Sequence, residues 1–194
     1  MNAPVLDDPL TRAEKLKQET HALHERLDTS IAGKEPFADR ERYAAFVDMQ
    51  YRFYAGIEPL YHDARLQALI PGLADRSRFE AARRDLADLG RPVPEVAPLA
   101  IPEGEALGWL YVSEGSTLGA AFLLKAVEAI GLNEENGARH LAASPEGRGK
   151  HWRNFKEALN AVPLSPAEDV AVIAGANAAF AHVQTLVNEV LARP

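Results

Sequence analysis

Lys17 and His24 are seven residues apart in the run LKQETHALHERLD. Seven residues of helix make about two turns, so the two side chains share a face with only ~20° of drift. Their Cα atoms then stand roughly 10 Å apart along the helix axis, a separation that suits the edge of a porphyrin. A neutral imidazole at His24 can ligate iron while the Lys17 ammonium reaches a carboxylate at the porphyrin rim, with Thr20 between them on the same face. Asp28, one turn further on, is placed to accept the other imidazole N–H and fix the ring. His21 offers a second imidazole, and periodicity does not rank the two. Taken alone, a helical His and Lys more often form a solvated surface pair.

A second constellation is GWLYVSEGSTLGAAFLLK, which places Gly115 and Gly119 four residues apart inside a helical pattern. Each glycine there costs about 1 kcal/mol relative to alanine. Two glycines on one face let a flat ligand or another helix approach the backbone closely, and the Ser116 and Thr117 hydroxyls can support a local bend. A lone G-x-x-x-G more often marks close packing of two helices.

The elements that carry these residues are helical throughout. Asp8-Pro9 supplies a cap and a first-turn proline, and Leu10, Ala13, Leu16, Thr20, Leu23, Leu27 and Ile31 then recur at helical steps until Gly33 and Pro36. A second helix is predicted from Asp39 through YAAFVDMQYRFYAGIEPLYHDARL. Ser77 and Glu80 form the capping-box pattern that opens a third, closed by Gly90 and Pro92. The proline-rich RPVPEVAPLAIPEG reads as a loop or partly extended connection within one core. A long fourth helix covers roughly 105–130 with Gly131 as its stop, and shorter helical pieces follow around 134–142 and 150–160. Ser165-Pro166-Ala167-Glu168 starts a last helix that runs almost to the C-terminus. No segment alternates with a strand period, so the expected fold is all-α, a single domain over 1–194 with 1–8 as a disordered tail.

Composition narrows the chemistry. With 194 residues and 47% hydrophobic content the chain can bury a proper core. A net charge of −7 and no long Lys/Arg cluster argue against nucleic acid as a partner. The absence of cysteine excludes disulfides, thiolate metal sites and covalent thioether attachment of haem, so any haem is held without sulfur. The N-terminus lacks the basic and apolar regions of a secretory signal, which predicts a cytoplasmic protein. Glu114, Lys125 and Glu128 interrupt the apolar stretch from Ala106 to Leu132, which reads as a buried helix rather than a membrane anchor.

Taken together, LKQETHALHERLD and YVSEGSTLGAAFLLK resemble the bacterial heme oxygenases, and the resemblance extends in order through KEPFADRERYAAFV, EPLY, PGLADRSRFEAARRDLADLG and NEENGARHLA, covering about Leu16 to Phe155. In that family the axial histidine directly precedes a Glu/Gln-Arg-Leu triplet, which here selects His24 over His21. The resemblance implies haem b sandwiched between a proximal helix and a kinked distal helix, with His24 as the iron ligand. It also implies that O₂ and electrons from a ferredoxin or NADPH-dependent reductase open the ring to biliverdin, carbon monoxide and ferrous iron. Gly115, Ser116 and Gly119 then line the oxygen side; Lys17 and Tyr111 hold propionates, with Thr20 at the haem face. His140 and Arg76 match positions of a water network that delivers protons, or serve as capping or salt-bridge residues. Some bacterial members lack the lysine at the Lys17 position and open the haem at another meso carbon, so Lys17 implies mainly the IX-alpha isomer. The final helix, 166–192, has no Lys or Arg where relatives often add a basic contact. The chain is taken as a monomer. A haem carrier or sensor that leaves its ligand intact, and a helical interaction domain without a cofactor, are the competing readings.

Overall fold

The architecture, seen in a computed structural model that describes residues 10–191, is a set of seven α-helices joined by turns, with no β-strand among those residues. The expected tail at 1–8 and the Asp8-Pro9 signal lie outside the described residues. Helix α1 (Arg12–Ala32) begins one turn later than that signal suggested. Its cap is Thr11, whose hydroxyl accepts from the Glu14 N–H at 3.3 Å while the Glu14 carboxylate accepts from the Thr11 N–H at 2.8 Å. Ala13, Leu16, Thr20 and Leu27 form its buried stripe.

Helix α2 (Arg40–His62) starts, as predicted, at Asp39, whose carboxylate accepts from the Arg42 N–H at 2.8 Å. It ends earlier than predicted, because Asp63 adopts an extended backbone and caps a separate short helix, α3 (Ala64–Leu69). A 3₁₀ turn over Leu73–Arg76 leads into α4 (Phe79–Asp88). The capping box expected at Ser77 and Glu80 does not form. The Ser77 hydroxyl instead donates to Glu58 of α2 at 2.6 Å and accepts from the Phe79 N–H at 3.3 Å, and Glu80 pairs with Arg83 rather than with the Ser77 N–H. The proline-rich connection is extended, and lies across α2 where the Leu99 N–H donates to the Gly56 carbonyl at 2.8 Å.

Helix α5 (Ala106–Glu128) is one uninterrupted run, with Gly131 at positive φ just beyond its end. The helical piece expected at 134–142 is instead a set of turns with one 3₁₀ turn at Arg139–Leu141, since Asn133 and Asp85 take up the N–H groups of that loop. Helix α6 (Arg148–Ala161) and helix α7 (Pro166–Val190) follow, the latter with the predicted Ser165–Glu168 capping box.

Helix α7 is the keel. It packs against α1, α2 and α5, burying Val172, Ala176, Ala179, Phe180, Val183 and Val187. By length and composition it is the one helix among the described residues apolar enough to cross a membrane, and here its apolar side is committed to the core. Its crossing with α5 is backbone against backbone: a Cβ placed on Gly108 would collide with the Val172 carbonyl, and one on Gly175 with that of Glu105. Gly119, by contrast, has nothing within 4 Å of where a Cβ would stand. We therefore expect Gly108→Ala to destabilise the haem-free protein by about 2 kcal/mol or more, and Gly119→Ala to stabilise it by up to ~1 kcal/mol. Urea denaturation midpoints read both, and equal effects of the two changes would contradict this packing.

Candidate functional site

The burial of α1 leaves Lys17, His21, His24 and Asp28 along its exposed side. The His24 side chain is 60% exposed, and its Nδ1 stands 3.2 Å from a carboxylate oxygen of Asp28. Its ring meets Phe180 of α7 edge-on, with centroids 5.8 Å apart. Nε2 faces no partner among the described residues and is the nitrogen free to ligate. His21 has a similar carboxylate, Glu25, at 3.3 Å, so an acidic neighbour does not separate the two histidines. The contact with Phe180 does, by seating the His24 ring at the junction of α1 and α7. Thr20 differs from expectation. It is buried, and its hydroxyl donates to the Leu16 carbonyl at 2.7 Å, so it is turned inward from the Lys17–His24 side.

Helix α5 changes character along its length. From Ala106 to Glu114 every residue is buried, whereas Ser116, Leu118, Gly119, Ala121 and Phe122 are exposed, which corrects the expectation of a wholly buried helix. Gly115, Leu118, Gly119 and Phe122 fall at three- and four-residue steps and share one side. Leu118 is 42% and Phe122 80% exposed. The packing explanation for the glycine pair fails here, since Gly119 opens on free space and a Cβ on Gly115 would meet only the edge of Trp152 of α6, at 3.6 Å. The Ser116 hydroxyl donates to the Ser113 carbonyl and that of Thr117 to Glu114, both at 2.7 Å, arrangements that bend helices. Tyr111 lies one turn before Gly115, its ring 5.4 Å from that of Trp152, and burial raises its phenol pKa above the ordinary value.

Beneath the exposed side of α5 lies a layer of buried charge. Glu114, 2% exposed, accepts from Tyr61 at 3.0 Å and from Arg76 at 2.8 Å, with His151 Nε2 at 3.4 Å from the same carboxylate. Arg76 also donates to the His151 carbonyl and lies over the Phe155 ring, so its guanidinium is held in a buried ion pair. His140 is buried too, with Nδ1 bonded to Asp85 at 2.7 Å and Nε2 without a partner among the described residues. Burial pushes the Asp85 carboxyl up, but bonds from the His140 side chain and from the backbone of His140 and Arg139 outweigh it and hold the pKa below the usual carboxylate value.

The sequence reading missed Glu114 and Asp85 as site-forming residues. Each carried a signal: Glu114 interrupts an apolar run, and Asp85 falls in step with Ala82 and Leu86 on the apolar side of α4.

The residues present fit a flat, mostly apolar ligand with an anionic edge. Helices α1 and α5 both pack on α6 and α7 yet make at most marginal contact with each other. The exposed imidazole, ammonium, leucine and phenylalanine of these two helices are thereby left for a ligand. A surface cavity of about 1100 Å³ lies elsewhere, bounded by Gly33, Lys34, Arg42, Arg91 and Leu191. It contains none of these residues, and its walls are crossed by ion pairs such as Arg91–Asp48.

Comparison with known proteins identifies the family. A family model described as heme oxygenase matches residues 10–189. The chain is 47% identical over 173 residues to the heme oxygenase PigA of Pseudomonas aeruginosa, spanning 87% of each protein. It superposes with a TM-score of 0.90 and 41% identity on the NO- and CO-bound heme oxygenase of Neisseria meningitidis, covering 96% of this chain and 94% of that one. The haem complex of heme oxygenase-1 from the cyanobacterium Synechocystis shares the fold at a TM-score of 0.74 and 17% identity, over 93% of this chain and 92% of that one.

The depressed Asp85 pKa has a consequence for acid stability. The folded state holds this carboxylate ionised where the unfolded chain, with a value near ~3.9, has begun to take up a proton. Its contribution is therefore present above about pH 4 and lost as pH falls through the lower folded value. We expect Asp85→Asn to be less stable than the parent at pH 7 and to lose less further stability between about pH 4 and 2. Parallel losses in urea titrations across that range would contradict it.

Proposed function

The chain belongs to the heme oxygenase family and opens the haem ring to biliverdin; we propose that it does so with His24 of α1 as the iron ligand and the exposed stretch of α5 at Gly115 and Gly119 as the oxygen side. The observation that carries this reading is the pairing of an exposed imidazole braced by Asp28 and Phe180 with a helix on which Gly119 opens on free space and Gly115 meets only the edge of Trp152.

Haem b is the substrate, and its iron supplies the O₂ chemistry of its own degradation. The protein's part is to bind, orient and supply protons. The His24 Nε2 lone pair meets the iron, and Asp28 beside Nδ1 favours the N–H at that nitrogen. Lys17, exposed two turns away, pairs with one propionate as a flexible cation, and the Tyr111 hydroxyl takes part in holding the other. Leu118 and Phe122 cover the apolar face of the macrocycle, a burial that supplies about 25 cal/mol for each Å² removed from water. Gly115 and Gly119 leave room for O₂ to lie toward the ring edge, with Ser116 beside them. His140 and, through its pair with Glu114, Arg76 order the polar layer along which protons arrive.

Thr20 has no direct part in this account, because its hydroxyl is bonded to its own helix. Electrons come from outside the chain, from a ferredoxin or an NADPH-dependent reductase, and the further products are carbon monoxide and ferrous iron. We further propose that the enzyme acts as a cytoplasmic monomer and that Lys17 seats the haem for mainly the IX-alpha isomer.

Two variants test the orientation and the oxygen side. With one equivalent of hemin and ascorbate in air, Gly119→Leu is expected to bind haem and to form biliverdin at least about tenfold more slowly, a loss of ~1.4 kcal/mol or more in the barrier. Lys17→Ala is expected to keep turning over and to yield a mixture of isomers on chromatography of the extracted pigment. An unchanged rate in the first, or an unchanged isomer ratio in the second, would overturn the corresponding assignment.

A further inference from the structure

Asp85 sits on the buried side of α4 with Ala82 and Leu86, all three without measurable exposure. An ionised carboxylate in such a place is unfavourable unless its oxygens are satisfied. Here both are. One oxygen accepts from the His140 backbone N–H at 2.9 Å and from His140 Nδ1 at 2.7 Å; the other accepts from the Arg139 backbone N–H at 3.0 Å and from its guanidinium at 3.3 Å. A carboxylate accepts and does not donate, so the Nδ1 it faces must carry the proton. Flipping the ring would put a carbon where Nδ1 stands and break the 2.7 Å bond.

The other nitrogen of that imidazole shows what the arrangement is for. His140 Nε2 is buried and faces no protein partner among the described residues. A loop fastened only for stability would need no more than the two backbone N–H bonds to Asp85. Adding an imidazole whose second nitrogen lies unpaired in the interior costs stability, and such groups are rare unless water or a ligand meets them. The loop itself is tied to the exposed stretch of α5. Arg78 donates to the His140 and Ala142 carbonyls, both at 2.8 Å. Arg148 donates to the Leu141 carbonyl and, at 3.2 Å, to that of Thr117, which lies midway between Gly115 and Gly119 in the chain. The charged groups around His140 are thus Asp85 and Arg139 from one side and Arg78 and Arg148 through the loop carbonyls from the other.

We propose that Asp85 is a positioning residue for the ring-opening reaction, holding His140 in the Nδ1–H tautomer so that Nε2 presents a lone pair to the proton-carrying water beside α5. The inference rests on the reading of His140 as part of the proton route. In each turnover step Nε2 takes a proton from solvent and gives it up again at the same atom. Nδ1–H stays bonded to Asp85 throughout, and the carboxylate stabilises the cation formed in between. Neither residue is changed at the end, and the only species transferred is the proton.

The first test needs no substitution. Nitrogen-15 NMR of the histidine side chains in the haem-bound, diamagnetic protein reports the tautomer directly, and His140 is expected to carry its proton on Nδ1. A proton on Nε2 in the neutral ring would overturn the proposal. The second compares Asp85→Asn, His140→Ala and the double variant. Each single variant is expected to bind hemin as the parent does and to form biliverdin about 10–100-fold more slowly, the usual cost of losing an orienting partner. The double variant should be no slower than the slower single one. Asp85→Asn at the parental rate beside a slowed His140→Ala would overturn the positioning role alone. His140→Ala at the parental rate would overturn the proton-route reading, with the tautomer measurement still deciding whether Asp85 sets the ring. A failure of Asp85→Asn to fold leaves the decision with that same measurement on the parent protein.

Discussion

The close crossing of α5 over α7 is the constraint on which the rest of the site depends. Two backbones meet there with no room for a side chain at Gly108 or Gly175. The first half of α5 is thereby buried to the last residue, and the trade is worthwhile because Trp109, Leu110 and Val112 go into the core with it. Past Glu114 the same helix is exposed on the side of Gly115, Gly119 and Phe122. Helix α1 packs on α7 as well, and Phe180 fixes the seat of the His24 ring. One keel thus holds both the imidazole and the open glycine stretch without letting their helices close on each other.

A buried electrostatic layer keeps that arrangement stiff. Glu114 binds Arg76, Tyr61 and His151, while Asp85 binds His140 and Arg139. Buried ions contribute little net stability compared with apolar packing, but removing one partner strands the other at a cost of about 3–5 kcal/mol. Such pairs therefore hold α2, α4, α5 and α6 to one arrangement. On the proposed reading this layer orders protons, and no imidazole or carboxylate side chain is needed at Gly115 or Gly119 themselves.

Much of this was legible in the sequence, and the reasons are local. Asp39 and Ser165 act as helix caps because their signals depend on bonds within one turn. The Ser77–Glu80 signal is just as local and failed, since Ser77 bonds to Glu58 of another helix and to the Phe79 N–H while Glu80 is taken up by Arg83. Periodicity placed Lys17 and His24 on one side of α1, and family resemblance chose between His21 and His24 where spacing could not. It also put Thr20 on that side, although the helix turns it inward. Glycines show the same division. Gly115 and Gly119 were conspicuous by their spacing, whereas Gly108 and Gly175, which carry the packing, lie in different helices and become a pair only in three dimensions. Asp85 and Glu114 belong to the same class, since an acidic residue on an apolar side acquires its meaning from the partner it meets.

The central claim, that His24 holds the haem whose ring is opened against α5, is tested most directly by titrating hemin into the parent protein, His21→Ala and His24→Ala, and then following the spectrum under ascorbate in air. The account predicts a Soret shift followed by biliverdin formation for the parent and for His21→Ala, with neither a histidine-ligated spectrum nor turnover for His24→Ala. Biliverdin formed at the parental rate by His24→Ala, or lost only in His21→Ala, would contradict it.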